Sequence, residues 1–457
     1  MNMQTWILQA PVLNRSGYGS WSDAIAGSLI RYSVIKDFNL LIGPTAWGSC
    51  PRRNLEHPTP DTSEIIKHII QAPIHRQPEV FLQMSIPPEF QTPAKFNIGL
   101  SAGLESTCPP GSWLEGINRM NLNILTSVHS RDVLAGASYT KKNPNGTTEP
   151  LAVNKPMEVL FWGADTSKYF KTDEKVASLE DTMKDIPESF AFLFVGQWTS
   201  NSIKGDRKAI GFLVKTFLET FADVPNPPCL ILKTSGAQIC VMDRYECINK
   251  VHDITGMVKQ VMPNAKLPNV YVIYGELEDN EMNALYNHEK VKMHVSFTHG
   301  EGFGMPLLLA SLSGKPVVSS KWSGHLDFLN PNYTKFFDGS LVPIPDEALN
   351  DWFIKEAKWF EVDYIDAGKK MKRYFTDYSA TLLENAEKLR VENMEKFSLE
   401  AMDKVFHAIL DKYVPPFVME SSIILPKLKK LSLPKLNQTP VIPADKPEPA
   451  TTILAAA

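Results

Sequence analysis

Cysteine is scarce in this chain of 457 residues: Cys50, Cys108, Cys229, Cys240 and Cys247 are odd in number, scattered, and never form a CxxC pair. That spacing gives a structural zinc site no support and suits a reducing, cytoplasmic setting. Long apolar runs are missing as well. None approaches the roughly 18 to 20 residues needed to span a bilayer, and Met1 to Gln9 lacks the basic start and apolar centre of a secretory signal. Charge of one sign is not in excess: a net charge of -4 argues against coating nucleic acid by bulk charge and leaves only a local basic groove open. No D-x-D pair, HExxH or Walker lysine motif occurs, so neither a carboxylate-held metal nor P-loop hydrolysis has a sequence basis.

What is present is 43% apolar and 10% aromatic residues with 21% charged, enough for at least one large core and, at this length, two or three domains. Short apolar runs alternate with longer amphipathic stretches as far as about Leu410, the pattern of parallel sheets covered by helices, hence an α/β protein. The first unit runs from a strand over Thr5 to Leu13 through a glycine turn, Ser16-Gly17-Tyr18-Gly19, into a helix over Trp21 to Tyr32. Strands are predicted at Phe38 to Ile42, Val80 to Met84, Phe96 to Leu100 and Leu122 to Ser127, closing a first domain over residues 1–160. Turn chemistry at Asn143-Pro144-Asn145-Gly146 then marks a loop leading into a linker.

A second alternating series occupies residues 161–380, with strands predicted at Phe190 to Val195, Cys229 to Lys233, Val270 to Tyr274, Met293 to Phe297 and Val317 to Ser319. Helices are predicted over Arg207 to Phe221, Tyr245 to Val261, Asn280 to Tyr286 and Pro306 to Leu312. Two doubly wound, Rossmann-like halves then face each other, and the cleft beyond their strand ends is the expected site. A helical segment within 381–413, patterned from Leu382 to Leu410, packs back on the body. Residues 414–457, with eight prolines between Pro415 and Pro449, read as a disordered tail. Its basic patch, Lys427 to Lys430, is either a solvated linker or a partner contact.

The most informative stretch is Thr298-His299-Gly300-Glu301-Gly302-Phe303-Gly304-Met305-Pro306-Leu307-Leu308-Leu309-Ala310, followed by Ser313-Gly314-Lys315-Pro316-Val317-Val318. Pro306 suits a first helical turn, Gly314 a left-handed position after the last, and Pro316 a stop. The loop before such a helix presents free N–H groups and the positive dipole end to a diphosphate or to sugar oxygens, with Gly302 and Gly304 allowing close approach. Glu301, at its mouth, either accepts bonds from hydroxyls or caps the helix.

These residues resemble the group-1 (family 4) retaining glycosyltransferases of the two-domain GT-B type. The resemblance rests on Glu301-Gly302-Phe303-Gly304 with Pro306-Leu307-Leu308 and Gly314-Lys315-Pro316-Val317-Val318, and extends from about Thr5 to Leu410. Ser16-Gly17-Tyr18-Gly19, Phe194-Val195-Gly196, Arg207-Lys208 and Leu232-Lys233-Thr234 support it. Within the family the chain looks most like enzymes of large tailed bacteriophages. The resemblance implies a nucleoside-diphosphate-sugar donor in the interdomain cleft, transfer to an acceptor hydroxyl with retention at the anomeric carbon, and no metal or other cofactor.

By the same resemblance, Glu301 binds donor-sugar hydroxyls and Lys208 neutralises the diphosphate, while Gly302, Phe303, Gly304 and Met305 line the donor. Gly17 and Gly19 either approach the diphosphate and sugar or form a plain tight turn. The match departs at two positions. Leu309 stands where the family's E-x7-E pattern has its second glutamate, and Gln197 where an arginine follows the strand glycine. Arg207 is then the expected second cation beside Lys208, because negative charge builds on the departing diphosphate; the other reading of the pair is a solvated helix start, which the helix dipole opposes. Glu105, in Ala102-Gly103-Leu104-Glu105-Ser106-Thr107, is the acceptor-side catalytic candidate. His129, His294, His299 and His325 are as readily structural as catalytic.

The phage likeness makes a hydroxymethylated pyrimidine in DNA an expected acceptor, with Arg52-Arg53, Lys141-Lys142 and Lys427 to Lys430 as candidate backbone contacts. A surface glycan, a lipid-linked sugar or a protein is the alternative. Leu309 and Gln197 also suggest a catalytically lapsed sugar-nucleotide-binding protein, and an epimerase on the same architecture is the remaining reading.

Overall fold

The computed structural model describes residues 3–48, 50–51, 59–236 and 240–417. Two six-stranded sheets, parallel throughout, carry the architecture. In the first half, β1 (Thr5–Ala10), β2 (Asn39–Pro44), β3 (Val80–Met84), β4 (Phe96–Ser101) and β5 (Leu122–Leu125) are followed by an antiparallel hairpin, β6 (Ser138–Lys142) and β7 (Thr148–Ala152). Then β8 (Met157–Val159) joins the sheet at its edge, giving the order β2-β1-β3-β4-β5-β8. Helices α1 (Gly17–Lys36), α2 (Pro60–Lys67), α3 (Gly111–Arg119) and α4 (Val128–Gly136) complete this half.

The second half places β9 (Ala191–Val195), β10 (Cys229–Thr234), β11 (Val270–Tyr274), β12 (Val291–Val295), β13 (Val317–Ser320) and β14 (Lys335–Phe337) in the order β11-β10-β9-β12-β13-β14. Its helices are α5 (Ala177–Met183), α6 (Ile210–Thr220), α7 (Val241–Val261), α8 (Asp279–Asn287), α9 (Met305–Ser311), α10 (Tyr364–Thr376) and α11 (Ala380–Lys396), with an antiparallel pair, β15 (Gly339–Pro343) and β16 (Lys358–Val362), before α10. Finally α12 (Leu399–Tyr413) crosses back to the first half. Strands such as β3, Val-Phe-Leu-Gln-Met, are buried at every position, as a parallel sheet covered on both faces requires. The doubly wound order expected for both halves is what the chain adopts.

Three of the structure's departures from expectation have a local reason in the fold. The glycine stretch at 16–19 is not a free turn: Ser16 caps α1 by accepting the Gly19 N–H at 3.0 Å, so Gly17 and Gly19 are the helix's first turn. Glycine is required at 19 because a Cβ would lie 2.0 Å from the Asn14 carbonyl oxygen. The segment expected to be a loop around Asn143 to Gly146 is the tip of the β6–β7 hairpin, with Gly146 at φ +84. The single helical segment expected over Leu382 to Leu410 is two helices, because Phe397 ends α11 and the Ser398 side chain caps α12 from the Ala401 N–H.

That break has an architectural consequence. Leu389 of α11 belongs to a core of the second half, whereas Met402, Phe406, Ile409 and Leu410 of α12 belong to the core of the first. The chain therefore crosses between halves twice, and the crossings are bonded to each other: Ala164 N–H donates to the Phe397 carbonyl (2.8 Å) and Leu399 N–H to that of Ala164 (2.9 Å). Gly163 fits beneath them, where a Cβ would lie 2.9 Å from Leu399 and Met402.

Candidate active site

The carboxyl ends of both sheets border one cavity of about 1510 Å³, larger than the roughly 300–1,000 Å³ typical for a single small ligand. In the second sheet the strand order reverses between β9 and β12, and loops at such a switch point leave a crevice for a ligand. The loop after β9 carries Gly196, Gln197, Arg207 and Lys208; the loop after β12 carries Glu301, Gly302, Gly304 and Met305. From the first half come Gly17 and Tyr18 at the start of α1, and Glu105 after β4.

Arg207 and Lys208 precede α6 and are held in a tight turn. The buried Asp206 carboxylate accepts the backbone N–H groups of Lys208 (3.2 Å) and Ile210 (2.7 Å), and Ala209 takes the left-handed conformation at φ 51. The two cations are thus not a solvated helix start, because the helix begins only at Ile210. The Arg207 carbonyl in turn accepts the His299 N–H at 3.1 Å, tying this turn to the glycine motif.

The side chains converge. Lys208 Nζ lies 2.5 Å from Glu301 Oε2 and 3.7 Å from Glu105 Oε1, and Arg207 Nη1 donates to both Glu105 oxygens at 2.7 Å. Lys208 and Glu301 keep only 11% and 13% of their side-chain surface exposed, so their pairing is little screened. Burial alone would raise the Glu301 carboxyl, yet Lys208, with Arg207 behind it, holds it below the ordinary carboxylate range. Burial likewise works against the Arg207 charge, and Glu105 and Glu301 outweigh it. The arrangement can hold an anion on its cations and a hydroxyl on its carboxylates.

The motif glycines serve a purpose not legible in sequence. A Cβ at Gly302 would lie 2.4 Å from the Ala102 carbonyl oxygen, and one at Gly300 2.3 Å from that of Glu105. These positions admit the first half's backbone, not only a ligand, and the Thr126 hydroxyl, which donates to the Ala102 carbonyl at 2.6 Å, lies 3.2 Å from the Gly302 carbonyl at the same contact. Gly304 is glycine for a different reason: it precedes α9 at φ 99, a left-handed conformation, and Pro306 sits in the first turn as expected. Gly314 follows at φ 72. The Phe303 side chain is packed in the core against Phe328, ring centroids 5.1 Å apart, and Met305 packs against the same core from its margin. Gln197 and Leu309 both line the cavity.

The four histidines singled out in the sequence are neutral at pH 7. Burial pushes His129 and His299 down to about 4 and His294 to about 3, and it also lowers His325. His299 stacks on Trp359 (4.1 Å, 7° between planes) and its Nδ1–H donates to the Phe360 carbonyl at 2.6 Å.

Several cavity residues escaped sequence reasoning. Trp47 stacks on Tyr18 at 3.8 Å, and the Tyr18 hydroxyl accepts the Ala102 N–H at 2.9 Å, anchoring the loop that carries Glu105. Arg15 reaches across to an ion pair with Glu276. Trp352 and Phe353 arrive from the segment between β15 and β16, whose core touches Cys108, and Lys358 at the start of β16 exchanges two bonds with Thr107, at 2.9 and 2.8 Å. Isolated aromatics and arginines in loops carry no periodic signal. Of the basic groups offered as backbone contacts, Lys141 is paired with Glu115 at 2.9 Å on the hairpin, while Arg52, Arg53 and Lys427 to Lys430 lie outside the described residues.

No helix among the described residues is long and apolar enough to cross a membrane. Residues 256–355 match the family model described as Glycosyl transferases group 1, a stretch that contains the Glu301 loop and α9. No curated protein matches the chain in sequence. Among solved structures the chain is similar to HepE from Anabaena in complex with UDP and glucose (11% identity, TM-score 0.55, 90% of this chain and 100% of that one). It is similar also to a glycosyltransferase from Rickettsia africae (14%, TM-score 0.57, 91% and 99%) and to an E. coli trehalose-6-phosphate protein bound with UDP-2-fluoro glucose (11%, TM-score 0.58, 90% and 100%). With two parallel-sheet α/β halves in doubly wound order and these neighbours along nine-tenths of its length, the chain has the GT-B fold.

Proposed function

We propose that the chain transfers a sugar from a nucleoside-diphosphate sugar to an acceptor hydroxyl, with retention at the anomeric carbon and without a metal cofactor. The observation that carries this reading is the convergence of Arg207 and Lys208 with Glu301 at the switch point of the second sheet, in a cavity with room for two substrates. The UDP and UDP-sugar bound to fold neighbours agree with it. In the proposed step the bond between the anomeric carbon and the diphosphate oxygen breaks and its electron pair leaves with the diphosphate. The acceptor oxygen bonds the anomeric carbon from the same face, and its proton passes to the departing phosphate oxygen. Lys208 and Arg207 stabilise the charge developing on the leaving group, the kind of assistance whose removal costs about 10²–10³ in rate, and Glu301 orients the sugar hydroxyls.

Incubation with a panel of nucleotide sugars and acceptors, with and without EDTA, tests this: one donor should release its nucleoside diphosphate with EDTA making no difference. The anomeric coupling in the product's NMR spectrum should match the donor's. A hydroxymethylated pyrimidine in DNA remains the acceptor proposed from the phage likeness. It predicts a labelled DNA product and DNA binding that weakens steeply with salt; salt-independent or absent binding removes it. The lapsed-binder reading draws on Leu309 and Gln197, which present neither carboxylate nor cation to the cavity they line. Tight nucleotide binding without turnover of any donor would favour it.

A further inference from the structure

Among the described residues, every cationic side chain that lines the cavity is already paired with a carboxylate of this chain. Arg31 is held by Asp403 at 2.6 Å, Lys168 by Asp165 at 3.4 Å, Arg15 by Glu276, Lys208 by Glu301 at 2.5 Å, and Arg207 by Glu105 at 2.7 Å. A nucleoside diphosphate entering this cavity therefore finds its cations taken, and must exchange places with a carboxylate.

The carboxylates differ in how firmly they are held. Glu301 is nearly buried and bound to a lysine of its own half. Glu105 comes from the opposite half: both its oxygens rest on the single Nη1 of Arg207, its contact with Lys208 is long at 3.7 Å, and its side chain keeps 23% of its surface exposed. Its backbone is fixed. The Glu105 carbonyl abuts Gly300, the neighbouring Ala102 N–H is bonded to Tyr18, and Thr107 is bonded to Lys358. Rotation of the side chain alone would free Arg207 without moving the loop or separating the halves.

Resting on the function proposed above, we infer that Glu105 is a displaceable internal anion, occupying on Arg207 the place of the donor's diphosphate until the donor expels it. Two consequences follow from that exchange. Glu105 competes with the donor, so wild-type affinity for the diphosphate is held down by its own carboxylate. The carboxylate is released toward the first-half wall of the cavity only once the diphosphate is seated, so the donor binds before the acceptor. Glu105 thereby acts as a positioning residue that orders the two substrates, through its hold on Arg207.

The test is calorimetric titration of the full chain with inorganic pyrophosphate and with UDP, GDP and ADP, comparing wild type with Glu105→Gln at one ionic strength. The amide keeps the shape and removes the charge, and the expected result is binding at least tenfold tighter, where loss of a merely structural contact would leave affinity unchanged or weaken it. If Glu105→Gln does not fold, Glu105→Asp, which retracts the carboxylate from Arg207, is expected to tighten binding by a smaller factor. Binding by the folded Glu105→Gln variant that is no tighter than wild type's overturns this inference and leaves the proposed function standing. Failure of wild type and variants alike to bind any of the four probes overturns both.

Discussion

The two halves share one plan and differ in what their strand ends carry. Each is a six-stranded parallel sheet whose strand order reverses next to its first strand, so each offers the cavity the same kind of crevice. The second half fills it with Arg207 and Lys208 around Glu301, a cluster left with one net positive charge that Glu105 of the first half offsets. The first half presents an aromatic stack, Tyr18 on Trp47, and the carboxylate of Glu105. One topology thus carries two chemistries, because loops rather than strands determine what a doubly wound sheet binds. Where the two loops meet most closely the contact is built from backbone, with Gly300 lying against the Glu105 carbonyl and Gly302 against that of Ala102.

The comparison can be broken most forcefully at Lys208. Lys208→Ala leaves Glu301 nearly buried without its main partner and is expected to lower donor turnover by about 10²–10³, read as kcat with saturating donor; an effect below tenfold would move the chemistry away from the second half. Acid should next pick out the buried histidines of each half. His294 and His299 have folded pKa values of about 3 and about 4 against an ordinary 6.5, so the unfolded chain takes up their protons first. Their contribution is complete above pH 6.5 and is lost as pH falls toward 4, on the order of 3 kcal/mol for His299. His129 in the first half stands at about 4 for the same reason, so hydrogen exchange on acidification should show α4 and β12 with the glycine motif losing protection before β1 to β3, and uniform loss would count against the assignment.

Smaller effects sharpen the same contrast. Gly302→Ala places a methyl 2.4 Å from the Ala102 carbonyl across the two halves, and about 1–3 kcal/mol of destabilisation is expected in a denaturant melt. Gly256→Ala, on α7 with nothing within 4 Å of the new Cβ, should instead stabilise by roughly 0.5–1 kcal/mol. If both alanines had the same sign, the close-approach account of the motif glycines would fail.

Much of this architecture could be read along the chain. The apolar run at Val80 to Met84 coincides with β3, since a buried parallel strand leaves a continuous apolar signature, and that at Val270 to Tyr274 coincides with β11, a half-buried strand at the sheet's edge. Pro306 and Gly314 bracket α9 because each satisfies a backbone requirement that few other residues meet. Elements defined by distant partners were not legible. Glu105 and Arg207 are 102 residues apart and meet only because two sheets face each other. Trp47, Trp352 and Arg15 stand in loops without periodicity. The role of Gly302 depends on a carbonyl from the opposite half. The split of the last helical segment was written in Ser398, a capping residue inside an otherwise helical pattern.

The central claim is that the Arg207–Lys208–Glu301 cluster is where a nucleoside-diphosphate sugar binds. Its most direct test is titration of a nucleotide-sugar panel into wild type and Lys208→Ala, with each protein's fold checked by circular dichroism. The account predicts that one nucleotide family binds wild type and that the folded variant loses at least tenfold in affinity for it. Equal affinity in the two proteins would contradict it.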